Sequence, residues 1–163
     1  MRKIAFNLLV GPCPGNFTSV DGRCIYVITQ KASWDDGERT CGKHKANLVL
    51  VDSYNFLHEL TVFLNTNYKA VCLISGTVKS FWTAGKRNSN TNIFNWKIFR
   101  TAKFLDEFQK SKNVQEMNNW MSGEPNNQGG TEDCLQMQDP QGKYQFRDVS
   151  CKELNCLICQ LDV

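Results

Sequence analysis

The chain predicts an α+β fold, and three observations predict it. Two amphipathic stretches with helix caps fill the first half, the polar second half breaks into short strand-like runs, and eight cysteines are spread along both. Helices first and short strands later read as segregated layers, not as alternating βαβ units. A length of 163 residues suits one domain. No internal repeat and no Pro-, Ser- or Gly-rich linker marks a second. A chain of this size buries roughly 68–70% of its unfolded surface, enough for a hydrophobic core.

The N-terminal residues 1–12 form an extension ahead of a domain spanning 13–163. Met1-Arg2-Lys3 followed by Ile4 to Val10 reads either as a signal-peptide remnant with a short apolar core or as a first strand in which Ile4, Phe6 and Leu8 alternate. Pro14, Gly15, Asp21 and Gly22 between Cys13 and Cys24 predict a tight hairpin stapled at its mouth. Ser33 caps a first helix with Asp35 and Asp36 in its opening turn, and the spacing of Trp34, Cys41 and Lys45 carries it to about Ala46. Leu48 to Val51 is strand-like. Ser53 caps a second helix with Phe56, Leu57, Leu60, Phe63 and Leu64 on one face. Further strands are expected at Phe81–Ala84, Leu135–Gln138, Tyr144–Phe146 and Leu157–Leu161. A helical turn is expected at Lys103–Phe108, where Phe104, Leu105 and Phe108 share a face.

A net charge of +3, with acids and bases scattered, gives no basic face for nucleic acid or a membrane surface. No run approaches the roughly 20 apolar residues of a membrane span. The even cysteine count lacks the paired CxxC spacing of a zinc site. Cys156-Leu157-Ile158-Cys159 is strand-like, without the helix start a redox pair needs. Disulfides, an oxidising compartment and secretion follow as expectations. Asn16-Phe17-Thr18 matches a glycosylation acceptor and fits that setting.

Taken in order from Cys13 to Leu161, the pieces resemble the C-type lectin-like family. Trp34 through Cys41 to Leu48 resembles its opening helix, and Phe81-Trp82-Thr83-Ala84-Gly85 its central Trp-containing strand. Asn119-Trp120 before Gly123-Glu124-Pro125-Asn126 resembles the approach to its long loop, and Cys134, Cys151 and Cys159 fall where its remaining framework cysteines stand. The resemblance implies two helices with small antiparallel sheets and a long ligand-binding loop. It also implies the pairs Cys13–Cys24, Cys41–Cys159 and Cys134–Cys151. Cys72 and Cys156 are left over: a fourth bridge is expected, and a bridge between chains, giving a homodimer, is the alternative.

The loop from Glu124 to Cys134 carries the chemistry the resemblance implies. Calcium takes six to eight hard oxygens, which carboxylates and amide carbonyls supply. Glu124 and Asn126 flank a proline that is cis in the family, and Glu132 and Asp148 add two carboxylates. The implied metal set is Glu124, Asn126, Glu132 and Asp148, with Glu124, Asn126, Glu132 and Arg147 facing the sugar. The Glu-Pro-Asn order resembles the mannose-type arrangement, implying glycans with equatorial 3- and 4-hydroxyls: mannose, fucose, glucose or N-acetylglucosamine. Microbial or host glycan recognition in innate immunity is implied on the same ground, with clustering of weak single sites for avidity.

Arg147 departs from the family pattern, where Trp-Asn-Asp stands in place of Phe146-Arg147-Asp148. Arginine has five donors and no acceptor, so it cannot replace an amide carbonyl on a metal. Either it turns outward and calcium binds with extra water, or its guanidinium enters the site and neutralises Glu124 and Glu132. The second case gives a calcium-independent protein-binding module on the same fold. A second, structural calcium in some family members would use Glu132 and Asp133, with Asp106, Glu107 and Glu116 as candidates in the unusual segment 97–118. Phe99, Phe104 and Phe108 of that segment pack beneath the loop or face a partner. An enzyme is not expected: nothing in the sequence supplies the apolar surroundings that raise one acid's pKa, and His44 and His58 lie in predicted helices with no nucleophile near.

Overall fold

The computed structural model describes residues 13–100 and 113–161. Strands β1 (Thr18–Val20) and β2 (Arg23–Ala32) form the expected hairpin. Its tip is Asp21-Gly22, both at positive φ, 49° and 76°, which matches the twist of a two-residue hairpin turn. Cys13–Cys24 closes the mouth.

Ser33 Oγ accepts from the Asp36 N–H and starts helix α1 (Trp34–Lys43). The helix ends short of the predicted Ala46. Lys45 sits at φ 59°, and Ala46 already belongs to β3 (Ala46–Leu48), paired with β9 (Asn155–Leu161). Sheet pairing of a fully buried stretch overrides the helical spacing there. The expected strand at 48–51 is shifted for the same reason. Val49 donates to the Ile158 carbonyl and accepts from the Ala84 N–H, bridging strands without forming one. Helix α2 (Tyr54–Asn67) follows its prediction: Ser53 Oγ accepts from the Phe56 N–H at 3.1 Å, and Phe56, Leu60 and Leu64 are completely buried.

The remaining strands are β4 (Leu73–Ser75), β5 (Val78–Arg87), β6 (Phe94–Trp96), β7 (Cys134–Gln138) and β8 (Gln145–Val149). They join in the order β1-β2-β9-β5-β7-β8, with β3 on β9 and both β4 and β6 on β5. All pairs are antiparallel except β5 with β9. The fold is α+β, as expected. The helical turn expected at 103–108, with Phe104, Asp106, Glu107 and Phe108, lies outside the described residues, as do residues 1–12.

β5 is the central element. Phe81, Trp82, Thr83 and Ala84 are completely buried, and two indoles lock it to its neighbours: Trp34 Nε1 donates to the Thr83 carbonyl and Trp82 Nε1 to the Ala32 carbonyl. Its register against β7 then slips. Trp82 faces Gln136 and Lys86 faces Cys134, so four steps of β5 oppose two of β7. Thr83 Oγ1 fills the gap, donating to the Leu135 carbonyl and accepting from the Gly85 N–H. Gly85 is glycine because a Cβ there would lie 2.6 Å from Leu135 Cβ. Such a bulge re-aims the strand's end, and what it re-aims is Arg87.

All eight cysteines are paired: Cys13–Cys24, Cys41–Cys159, Cys134–Cys151 and Cys72–Cys156. The fourth bridge lies within the chain. It joins the segment after α2 to the central strand β9 across 84 residues. Replacing Cys72 and Cys156 together by alanine is expected to lower unfolding free energy by about 2–5 kcal/mol, measured by denaturant titration under non-oxidising and non-reducing conditions; a loss below about 1 kcal/mol would show the bridge to be incidental.

Candidate functional site

The long loop hangs between two fixed ends. Before it, Met121 donates to the Phe146 carbonyl and Phe146 to the Asn119 carbonyl, laying residues 119–121 along β8. Trp120 packs edge-on against Phe94 and Phe146 there. After it, Cys134 enters β7 and is bridged to Cys151. Gly129 and Gly130 both sit at positive φ, 76° and 77°, where side-chain-bearing residues are strained, so the chain can fold back on itself between Asn127 and Glu132.

Asp148 holds the loop from below. Its carboxylate is completely buried and accepts from the Asn126 N–H at 3.0 Å and the Asn127 N–H at 2.7 Å. Asn127, itself at φ 46°, turns its side-chain oxygen to the Glu132 N–H at 3.0 Å. Gln128 N–H is shared by Asn126 Oδ1 at 3.1 Å and Glu132 Oε1 at 2.8 Å. The Glu124–Pro125 peptide is cis, and the flanking side chains meet: Asn126 Nδ2 donates to Glu124 Oε1 at 3.2 Å. Glu124, Asn126 and Glu132 therefore stand around one loop, with Asp148 beneath.

Glu124 is the unsatisfied member. Its side chain is 10% exposed, and Oε2 is buried with no hydrogen-bond partner. Its carboxyl is pushed up to about 7, first by burial, then by the neighbouring Asp148 carboxylate, with Glu132 adding to the rise and Arg147 opposing it. The expectation that nothing supplies the apolar surroundings to raise an acid is corrected here: burial raises Glu124 first, and the crowding of carboxylates adds to it. Arg147 Nε stands 3.7 Å from Glu124 Oε1 without hydrogen bonding to it, on a side chain 36% exposed. It also lowers Glu153, whose own carboxyl burial pushes up. Among the described residues no three His, Cys, Asp or Glu side chains form a metal cage by themselves.

Arg87 is the residue sequence reasoning missed. Its guanidinium bonds Asp148 Oδ2 at 2.7 Å, Asp133 Oδ1 at 3.2 Å and the Glu132 carbonyl at 3.0 Å. The only signal in the sequence was a cation just beyond the predicted end of the Trp-containing strand, at least 45 residues from these three partners. Glu116, one candidate for a second metal, is on a short 3-10 turn (Val114–Glu116) and exposed. His44 and His58 are exposed on or beside the helices. Asn16 is exposed in the first turn, accessible to modification. Phe99 is exposed, one edge against Trp34.

The helices, the bulged central strand and the oxygen-lined loop define a disulfide-braced α+β domain built to present one loop. The lectin C-type domain family model matches residues 30–161, and the chain belongs to that family. It is 23% identical over 150 residues to a C-type lectin of Micrurus corallinus, a match that covers 91% of this chain and 82% of the relative. Its fold is similar to the mouse scavenger receptor C-type lectin carbohydrate-recognition domain, with a TM-score of 0.67 at 21% identity over 92% of this chain and 96% of that one. It is similar also to a calcium-independent type II antifreeze protein, with a TM-score of 0.64 at 20% identity over 92% and 94%.

The raised Glu124 gives a pH dependence with a definite sign. Its folded pKa exceeds the unfolded value of 4.5, so the native state binds more protons between there and about 7 and loses relative stability as pH rises through that window. In chelator, the melting temperature is expected to fall from pH 5 to pH 7, and Glu124→Gln to flatten most of that slope. An unchanged slope in Glu124→Gln would assign the effect elsewhere, Glu153 being the neighbour with a shift of the same sign.

Proposed function

We propose that this chain is a secreted, calcium-dependent carbohydrate-binding domain for glycans with equatorial 3- and 4-hydroxyls, such as mannose, fucose or N-acetylglucosamine. The observation that carries the reading is Glu124: a carboxylate with an orphaned buried oxygen, crowded by Asp148 and Glu132, beside the side chain of Asn126. Buried like charges of this kind call for a cation, and an oxygen-only donor set fits a hard one. The residues present therefore fit calcium. Glu124, Asn126 and Glu132 would hold it, and Asp148, with three of its roughly four acceptor positions taken, supports them from beneath. Bound calcium supplies coordination positions for two neighbouring sugar hydroxyls.

The chain's own groups divide the remaining work. Glu124 and Glu132 accept the hydroxyl protons, and Asn126 Nδ2, now spent on Glu124, donates to a hydroxyl oxygen. No bond is made or broken. Arg147, partly exposed at the rim, is placed to contact the sugar or its aglycone. Four disulfides support an oxidising, extracellular setting. Among the described residues no helix is long and apolar enough to cross a membrane.

One contact favours a second reading. Arg147 lies at ion-pair distance from Glu124, and a guanidinium there does part of a metal's work, leaving a calcium-independent module for a protein partner. Calorimetric titration of calcium into chelator-stripped protein, with and without mannose, separates the two. Heat of binding that strengthens with mannose and disappears in Glu124→Gln is expected. Silence at millimolar calcium, with partner capture unaffected by chelator or sugar, would replace the lectin reading with the second.

A further inference from the structure

Arg87 uses every donor it has. Nε reaches Asp133 Oδ1 at 3.2 Å; one terminal nitrogen reaches Asn92 Oδ1 at 2.6 Å and the Thr91 carbonyl at 3.3 Å; the other reaches Asp148 Oδ2 at 2.7 Å and the Glu132 carbonyl at 3.0 Å. Five donors meet five oxygens. The side chain is 6% exposed, and its Cζ lies over the Phe94 ring, 4.6 Å from the centroid. The acceptors come from three separate pieces of chain: the turn after β5, the limb of the long loop ahead of β7, and β8. Arg87, with Thr91, Asn92 and Asp133 among its acceptors, lines an open polar cleft of about 550 Å³.

Carboxylates and carbonyls converging on one point are what a calcium ion takes. The Glu132 and Asp133 groups are those that the family resemblance implied for a second, structural calcium. The residues do not fit that ion here, because a guanidinium already sits on the oxygens and repels a second cation. Lysine could not do the same: a point charge with three donors cannot reach five acceptors spread around a planar fork.

We infer that Arg87 is the chain's own permanent cation, standing in for a structural metal at the base of the long loop. It draws the turn at 88–93, the 127–133 limb and β8 together, so the loop takes its shape without an ion at that point. Among the described residues, the oxygens left for a calcium are then those at Glu124. This goes beyond the lectin reading and does not need it, since Arg87 holds the loop whether or not the glycan site takes metal.

The test is a count of bound calcium by equilibrium dialysis for the unaltered chain and for Arg87→Asp. Removing the guanidinium frees Asp133 Oδ1, Asp148 Oδ2 and the Glu132 carbonyl, and the new carboxylate adds a further ligand. Arg87→Asp is expected to bind one calcium more than the unaltered chain, whatever that chain binds, and to gain melting temperature with millimolar calcium. Equal counts in a folded Arg87→Asp protein overturn the inference. Should that variant fail to fold even in calcium, Glu124→Gln decides, because its glycan site is disabled and Arg87 is intact. Cleavage after Glu132 by a glutamyl endopeptidase is expected to run at the same rate in calcium and in chelator. Tenfold protection by calcium in Glu124→Gln would mean that a second ion does occupy the base of the loop, and Arg87 is not its substitute.

Discussion

The site depends on the pairing of Arg87 with Asp148 beneath the long loop. Asp148 is completely buried, and a buried carboxylate is tolerated only when its charge is met and its lone pairs are used. Arg87 meets the charge, and the Asn126 and Asn127 amides take two further acceptor positions. The backbone of the loop is thereby fixed at the two residues that follow Pro125. The positions of Glu124 and Asn126, and with them any metal or sugar contact, follow from that anchor. Breaking one partner of such a pair typically costs about 3–5 kcal/mol, much of it as an uncompensated buried charge.

The anchor itself is a product of the fold. Arg87 reaches Asp148 because β5 is held rigidly by two indole hydrogen bonds and then slips register over Gly85. Thr83 takes up the backbone groups the slip leaves unpaired. Cys134–Cys151 ties β7 to the turn after β8, so both strands beneath the loop move as one. Above this rigid base, Glu124 is left as the member whose charge is least well met, and that imbalance is what the proposed calcium would relieve.

Much of this was legible in the sequence. Ser33 and Ser53 announced both helices, because a cap is a local signal read from residues three apart. The Trp-bearing strand, the loop and three of the cysteine pairs were placed through the family resemblance, and the Cys72–Cys156 bridge through the two cysteines left unassigned. Where the structure differs, long-range pairing decided. Lys45 and Ala46 continue a helical spacing, but β9 claims Ala46. β6 has three residues and no periodicity to detect, while the alternation of Ile25 and Val27 in β2 was present and overlooked. Arg87 was invisible for the same reason: an arginine at a strand end is an ordinary solvated charge until the fold brings a carboxylate 61 residues away against it. Arg147, by contrast, stood out only because a family pattern expected something else there.

The most direct measurement of the anchor is hydrogen exchange at the Asn126 and Asn127 amides in metal-stripped protein. If Asp148 and Arg87 fix the loop, both amides exchange far more slowly than in an unstructured peptide before any calcium is added. Adding calcium then changes the side chains of Glu124 and Asn126 and leaves that protection in place. Exchange at unprotected rates in chelator, with protection appearing only on calcium addition, would contradict the account and make the metal, not the arginine, the element that builds the loop.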